Sequence, residues 1–127
     1  MRLYFDNQYT PGFIKLIERL HSLQFNQAYE IVSGQWQNEF TPAETVVFLW
    51  ETNKKGISRQ IARHFEDGYK VFTFRKPYGQ PFDIFKILLI MLSQWKNILE
   101  KIEKENGPFL FVISSSKKAM TRVKNSN

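Results

Sequence analysis

Two acidic residues follow directly on apolar runs that are typical of buried strands. Asp6 follows the apolar residues 3–5, and Glu51 follows the run 46–50, which is rich in strand-forming residues. If these strands are parallel neighbours, both carboxylates lie at the carboxyl edge of the sheet, where α/β proteins bind their ligands. Paired carboxylates suit a hard cation such as Mg²⁺, which activates water for phosphodiester hydrolysis.

Basic residues follow the second acid closely. Lys54, Lys55, Arg59 and Arg63 are candidates for binding a phosphate backbone, and the net charge of +6 also favours a polyanionic partner. A simpler interpretation stays open. A polar residue is common where a buried strand returns to solvent, and a basic protein need not bind nucleic acid.

Other candidates for chemistry are fewer. Glu39 and Glu44 precede the apolar run 46–50, and either one is a candidate third acid or simply a solvated side chain. His21 and His64 lie on predicted helices without a ligand pattern, so we expect surface histidines and no histidine-based metal site. The chain has no cysteine, which excludes disulfides and cysteine-ligated zinc. No glycine-rich nucleotide-binding motif occurs, which argues against NTPases and nucleotide-cofactor enzymes.

Alternating strand and helix patterns must position these residues. The periodicity predicts strands at 2–6, 29–33, 45–50, 70–75 and 109–113. It predicts a first helix from Pro11, capped by Thr10, to about 23, a second over roughly 58–67, and a third that Asp83 caps and that ends at about 106. This order predicts an α/β fold of three layers, α/β/α, around a mostly parallel sheet of about four to five strands. We expect one domain over residues 1–115 and a flexible basic tail over 116–127, which either grips nucleic acid or keeps the terminus soluble.

The most apolar segment, residues 84–92, is interrupted by Lys86 and is far shorter than the roughly 20 residues of a membrane span. A buried helix is the better interpretation. Asp6 precedes any apolar run at the amino terminus, which is unlike a secretory signal. We therefore expect a cytoplasmic protein without a membrane partner.

The opening segment 3–11, Leu-Tyr-Phe-Asp-Asn-Gln-Tyr-Thr-Pro, followed by an amphipathic helix, resembles the start of small PIN-like domains related to VapC toxins. The strand 46–51 ending in an acid, the helix 57–65, the strand 70–74 and the Gly-Pro-Phe at 107–109 follow in the order of that family. The resemblance covers most of the chain.

The resemblance implies a Mg²⁺- or Mn²⁺-dependent ribonuclease that acts on RNA, often as the toxin of a toxin–antitoxin pair. It implies Asp6 as the first metal ligand and gives Glu51 the position that the family usually fills with aspartate. The family's helix with a further acid is shortened here, where Glu39 or Glu44 would stand in, and the usual four acids are not recovered.

Three hypotheses follow. The first is a metal-dependent ribonuclease that uses Asp6 and Glu51, with an antitoxin partner and with a homodimer among the assemblies left open. The second is a degenerate PIN-like domain that binds nucleic acid or protein without catalysis. The third is a protein-interaction domain that uses exposed aromatic residues such as Tyr9, Trp36 or Tyr78.

Overall fold

The computed structural model describes residues 1–51, 57–75, 83–114 and 120–123, with the backbone alone at Glu51. The predicted order of strands and helices is confirmed, and one short strand is added at the end. In chain order the elements are β1 (Arg2–Phe5), α1 (Pro11–Gln24), β2 (Glu30–Ser33), β3 (Thr45–Glu51), α2 (Arg59–Glu66), β4 (Lys70–Arg75), α3 (Ile84–Lys104), β5 (Phe109–Ser114) and β6 (Thr121–Arg122).

The described strands form one sheet in the order β2-β1-β3-β4-β5-β6. The first five strands are parallel, and β6 is antiparallel to β5. The expected mostly parallel sheet is confirmed, with a slightly higher strand count than predicted. The added strand β6 comes from the segment predicted as a tail, of which residues 116–119 and 124–127 lie outside the described part.

Helix starts follow the capping residues visible in the sequence. The hydroxyl of Thr10 accepts a hydrogen bond from the Phe13 N–H, and Pro11 occupies the first helical position of α1. The carboxylate of Asp83 accepts from the N–H groups of Phe85 and Lys86 at the start of α3. None of the helices in the described ranges is long and apolar enough to cross a membrane.

Two apolar clusters make the fold three-layered. On one face, α1 and α3 cover side chains such as Phe5, Phe48 and Phe72. On the other face, α2 covers a smaller cluster together with the helix-free β2–β3 connection, which contributes Trp36 and Phe40. This second cluster shows that the β2–β3 connection occupies part of the layer that a helix would otherwise fill.

The β4–α3–β5 crossover has the opposite hand to β1–α1–β2. Both helices lie on the same face, whereas the chain steps from β1 to β2 in one direction along the sheet and from β4 to β5 in the other. Parallel crossovers are right-handed in about 98% of cases. One of these two crossovers is therefore of the rare hand.

The chain leaves β1 and β3 in different directions. Beyond β1 it passes to α1 on one face of the sheet, and beyond β3 it passes to α2 on the other face. Neighbouring parallel strands whose connections diverge in this way leave a crevice at their carboxyl ends, the usual ligand site of open α/β sheets. Asp6 follows β1 and Glu51 ends β3, so both predicted acids border this crevice.

Candidate active site at the β1–β3 crevice

Asp6 is held firmly at the end of β1. Its backbone N–H donates to the Phe48 carbonyl at 3.1 Å. Its carboxylate accepts from the Gln8 N–H at 2.8 Å and also from the Trp50 N–H of β3. The residue is only 9% exposed. The carboxylate therefore has a fixed position between the β1–α1 loop and the neighbouring strand.

The Asp6 carboxylate is costly to ionise. Burial raises its pKa above the ordinary value, and the two backbone hydrogen bonds lower it by less. An ionised carboxylate offers about four acceptor positions, and two N–H groups fill only part of them. The Asp6 carboxylate can therefore accept a further ligand. A cation would bind it most strongly, because a positive charge would offset the free-energy cost of burying the ionised carboxylate.

Two phenols flank this carboxylate but donate elsewhere. The Tyr4 hydroxyl donates to the Gly34 carbonyl at 2.6 Å, and the buried Tyr9 hydroxyl donates to the Leu49 carbonyl at 3.1 Å. Burial first, and then the nearby charge of Asp6, raise the pKa of both hydroxyls. Tyr9 thereby fastens the β1–α1 loop to β3 while remaining protonated, which fixes Asp6 relative to the end of β3.

Glu51 shares this edge with Asp6 at the level of the backbone. Phe5 is in register with Phe48, so Asp6 is level with Leu49 and Glu51 lies two residues beyond it on the same face. Two residues advance a strand by roughly 7 Å. The condition set in the sequence analysis, that these two strands are parallel neighbours, is thus met, while metal binding by the pair stays a prediction.

Glu44, the predicted third acid, lies at the opposite edge of the sheet. Its carbonyl accepts from the Arg2 N–H at the start of β1. It precedes the seven residues of β3, a strand length of roughly 20 Å. Glu44 and Asp6 therefore cannot ligate one ion, and Glu39 is an exposed residue of the β2–β3 connection. No group of three or more potential metal ligands occurs among the residues that the structure describes.

Two of the four predicted basic residues lie in the described part of the chain. Arg59 is the first residue of α2 and Arg63 lies one turn later, both with exposed side chains. Lys54 and Lys55 lie outside the described residues. Because the chain runs from the end of β3 to α2, Arg59 is at the end of α2 that is nearer to Glu51.

The prediction of two surface histidines was wrong. His21 is buried between α1 and α3, where its Nδ1 accepts from the Trp95 Nε1–H at 3.2 Å and its Nε2 lies 2.7 Å from the Gln27 carbonyl. His64 is half-buried, with ring contacts to Trp36 and Tyr69, and burial lowers its pKa. Their helical spacing gave no sign of these partners, because Trp95 and Trp36 come from distant parts of the chain and Gln27 and Tyr69 lie beyond the ends of the helices.

The aromatic residues proposed for protein contacts are mostly internal. Tyr9 is buried, and Trp36 is half-buried with edge-to-face contacts to Tyr4, Phe40 and Tyr69. Tyr78 lies outside the described part of the chain. Tyr9 therefore cannot belong to an aromatic interaction surface, and the packing of Trp36 against other rings is enough to explain its presence.

Strand β4 brings two polar residues to the same edge that the sequence analysis did not single out. Thr73 is in register with Leu49, and Arg75 with Glu51, so both lie on the α2 face. Their alternation with Phe72 and Phe74 was the one available signal. This alternation indicates that the carboxyl end of an otherwise apolar strand is polar on one face.

Comparison with protein-family models, with curated proteins and with solved structures found no match to this chain. The PIN-like resemblance therefore stays an interpretation of short sequence motifs.

Proposed function

We propose that the protein is a PIN-like, metal-dependent endoribonuclease whose active site is the β1–β3 crevice. The observation that carries this proposal is the position of Asp6 and Glu51 after the two strands that border the crevice. The net charge of +6 and the exposed Arg59 and Arg63 support an RNA substrate. In this proposal the chain is a cytoplasmic toxin that an antitoxin protein neutralises.

The available donors fit Mg²⁺ or Mn²⁺. Such ions are commonly held by one or two carboxylates, with water and substrate phosphates completing the coordination. Asp6 would be the buried ligand and Glu51 the second one. A bound ion would supply Lewis-acid activation of the phosphodiester and of the attacking water.

The protein's own contribution is positioning. Hydrogen bonds from Gln8 and Trp50 hold the Asp6 carboxylate, so it needs little reorganisation when a ligand arrives. Tyr9 keeps the loop attached to β3. Arg59 and Arg63 would contact the phosphates that flank the cleaved bond, which orients the RNA across the crevice.

RNA cleavage with Mg²⁺ or Mn²⁺ tests the proposal. We expect Asp6→Asn to lower the cleavage rate by at least about 100-fold, because even residues behind metal ligands contribute 10–100-fold. Glu44→Gln is the matched control: it removes an acid at the other edge and should leave the rate unchanged. Equal rates for wild type and Asp6→Asn would refute the nuclease.

A second candidate is a PIN-like domain that binds RNA without cleaving it. The distance of Glu44 from Asp6 favours it, since the described acids provide only a small ligand set. In that case RNA binding survives Asp6→Ala and needs no metal, whereas cleavage is absent from every variant.

A further inference from the structure

The carboxyl edge of the sheet has a polar row beyond the two acids. On the α2 face, Asp6, Leu49 and Thr73 are level across β1, β3 and β4. The next row on that face holds Glu51 and Arg75. Arg75 is therefore the neighbour of Glu51 across the strand pair, and Thr73 lies directly below Arg75.

Thr73 is a fully buried residue with an unsatisfied hydroxyl. Its exposure is 0%, and its Oγ1 has no hydrogen-bond partner in the described part of the protein. A buried polar group left in this way costs about 1–3 kcal/mol, and native structures rarely keep one without a reason. Valine would fill nearly the same volume on this strand, so the hydroxyl itself calls for an explanation.

Thr45 provides the contrast. It is equally buried, at the other end of the sheet, and its Oγ1 accepts a hydrogen bond from Arg2 Nη1 at 3.4 Å. The fold therefore satisfies one buried threonine with a cation and leaves the other without a partner. The unsatisfied one is on the edge that carries the proposed active site.

Charges of both signs lie around the end of β4, and the start of α2 adds to the positive ones. Helix α2 packs on β4 and β3 and begins at this edge with Ser58 as its N-cap. Its first turn contains no acidic residue and starts with the exposed Arg59. A helix amino terminus carries about half a positive charge, which adds to the charge of Arg75. Glu51, in register with Arg75, and Asp83, the N-cap of α3, carry the opposite sign.

We propose that Arg75, the Thr73 hydroxyl and the start of α2 form a phosphate-binding subsite beside Glu51. The subsite takes the non-bridging oxygens of a phosphate in the polynucleotide next to the one at the crevice. Thr73 donates its hydroxyl to that phosphate, and Arg75 supplies the charge. This inference rests on the proposed function for its substrate class, but binding of phosphate alone does not require cleavage.

Thr73→Val tests the hydroxyl by separating stability from affinity. Binding of a short single-stranded RNA is measured in EDTA, where no cleavage interferes. We expect affinity to fall about tenfold, as for one hydrogen bond to a charged group, while the unfolding midpoint in urea is unchanged or higher. Thr45→Val, the matched control, should lower the midpoint and leave RNA affinity intact. Unchanged RNA affinity in Thr73→Val would overturn the role of the hydroxyl.

Arg75→Gln tests the charge. The slope of log affinity against log salt should decrease by about 0.7, the value for one phosphate contact on a single strand, whereas Arg2→Gln at the opposite edge should not change it. An unchanged slope in Arg75→Gln would overturn the subsite.

Inorganic phosphate separates this inference from the nuclease proposal. Phosphate should raise the unfolding midpoint of wild type but not of Thr73→Val. If phosphate stabilises wild type selectively while RNA neither binds nor is cleaved, the subsite binds a smaller phosphorylated ligand and the ribonuclease proposal fails. If phosphate stabilises both proteins equally, the subsite is refuted.

Discussion

At the scale of single residues, the ionised carboxylate of Asp6 destabilises the fold because it is buried. Its carboxylate is buried, its pKa is raised by that burial, and no described residue forms an ion pair with it. Backbone N–H groups of Gln8 and Trp50 recover part of the lost hydration. A residue that served only to accept these two hydrogen bonds would not need a charge, which is why we assign the charge to ligand binding.

The cost of this charge predicts a pH-dependent stability. A carboxyl whose folded pKa is raised stabilises the fold most when protonated, below its unfolded value near 3.8, and loses that contribution as pH rises through the folded pKa. The stability of wild type relative to Asp6→Asn, from urea unfolding at several pH values, should therefore fall between acid and neutral pH. A difference independent of pH would contradict this assignment.

Two substitutions of Asp6 separate the effect of its charge on stability from the effect of its hydrogen bonds. Asp6→Asn keeps an acceptor oxygen without the charge, so at pH 7 it should be at least as stable as wild type. Asp6→Ala leaves two backbone N–H groups without their acceptor and should lose about 1–3 kcal/mol.

Residue types alone disclosed only part of the site. Asp6 was recognisable because an acid directly after three apolar strand residues lies at the end of a strand, although a polar residue at that position is common. Thr73 was not, because a threonine inside a strand is ordinary and its missing partner is visible only in three dimensions. Glu44 was wrongly kept among the candidates, because a residue that precedes the run 46–50 lies at the opposite end of a strand parallel to β1.

At the scale of elements, local signals predicted the boundaries well. Thr10, Pro11 and Asp83 marked helix starts that the structure retains. What the sequence could not predict is how helices pair, since that depends on contacts between distant segments. The bond between His21 of α1 and Trp95 of α3, which are 74 positions apart, is the clearest case.

This bond gives a stability prediction for the α1–α3 pair. His21→Ala leaves the buried Trp95 Nε1–H without an acceptor and opens a cavity, so the free energy of unfolding should fall by about 2–4 kcal/mol. Urea unfolding measures the loss. In a Trp95→Phe background the same change should cost less, since no donor remains to be satisfied. Equal costs in both backgrounds would show that the hydrogen bond contributes nothing.

At the scale of the whole molecule, strand order decides which acids meet. The alternation of strands and helices predicted a parallel sheet but not the order β2-β1-β3-β4-β5-β6. In this order β1 and β3 are neighbours, which brings their carboxyl ends together. The usual hand of crossovers would also place α2 and α3 on one face, because β3 to β4 and β4 to β5 step in the same direction, yet α3 lies with α1.

The topology also distributes charge unevenly along the strand direction. Six described acids lie where strands begin and helices end, namely Glu30, Glu44, Glu66, Asp67, Glu103 and Glu105, and the cations Arg2, Lys70, Lys101 and Lys104 at the same end offset part of their charge. At the other end, the described cations Arg59, Arg75 and Lys86 lie among the acids Asp6, Glu51 and Asp83. The carboxyl edge is therefore the less acidic of the two, and we expect a polyanion to prefer it.

This polarity predicts which cations govern RNA binding, whether or not the protein cleaves RNA. The double variant Arg59→Gln/Arg63→Gln should reduce the slope of log affinity against log salt by about 1.4, the value for two phosphate contacts on a single strand. Lys96→Gln/Lys104→Gln removes the same charge from exposed positions of α3 nearer the acidic edge and should leave the slope unchanged. If the two double variants change the slope equally, RNA binding responds to net charge alone. If only the Arg59/Arg63 variant changes it, and still does so in an Asp6→Ala background, the carboxyl edge is the RNA-binding surface even if the protein does not cleave RNA.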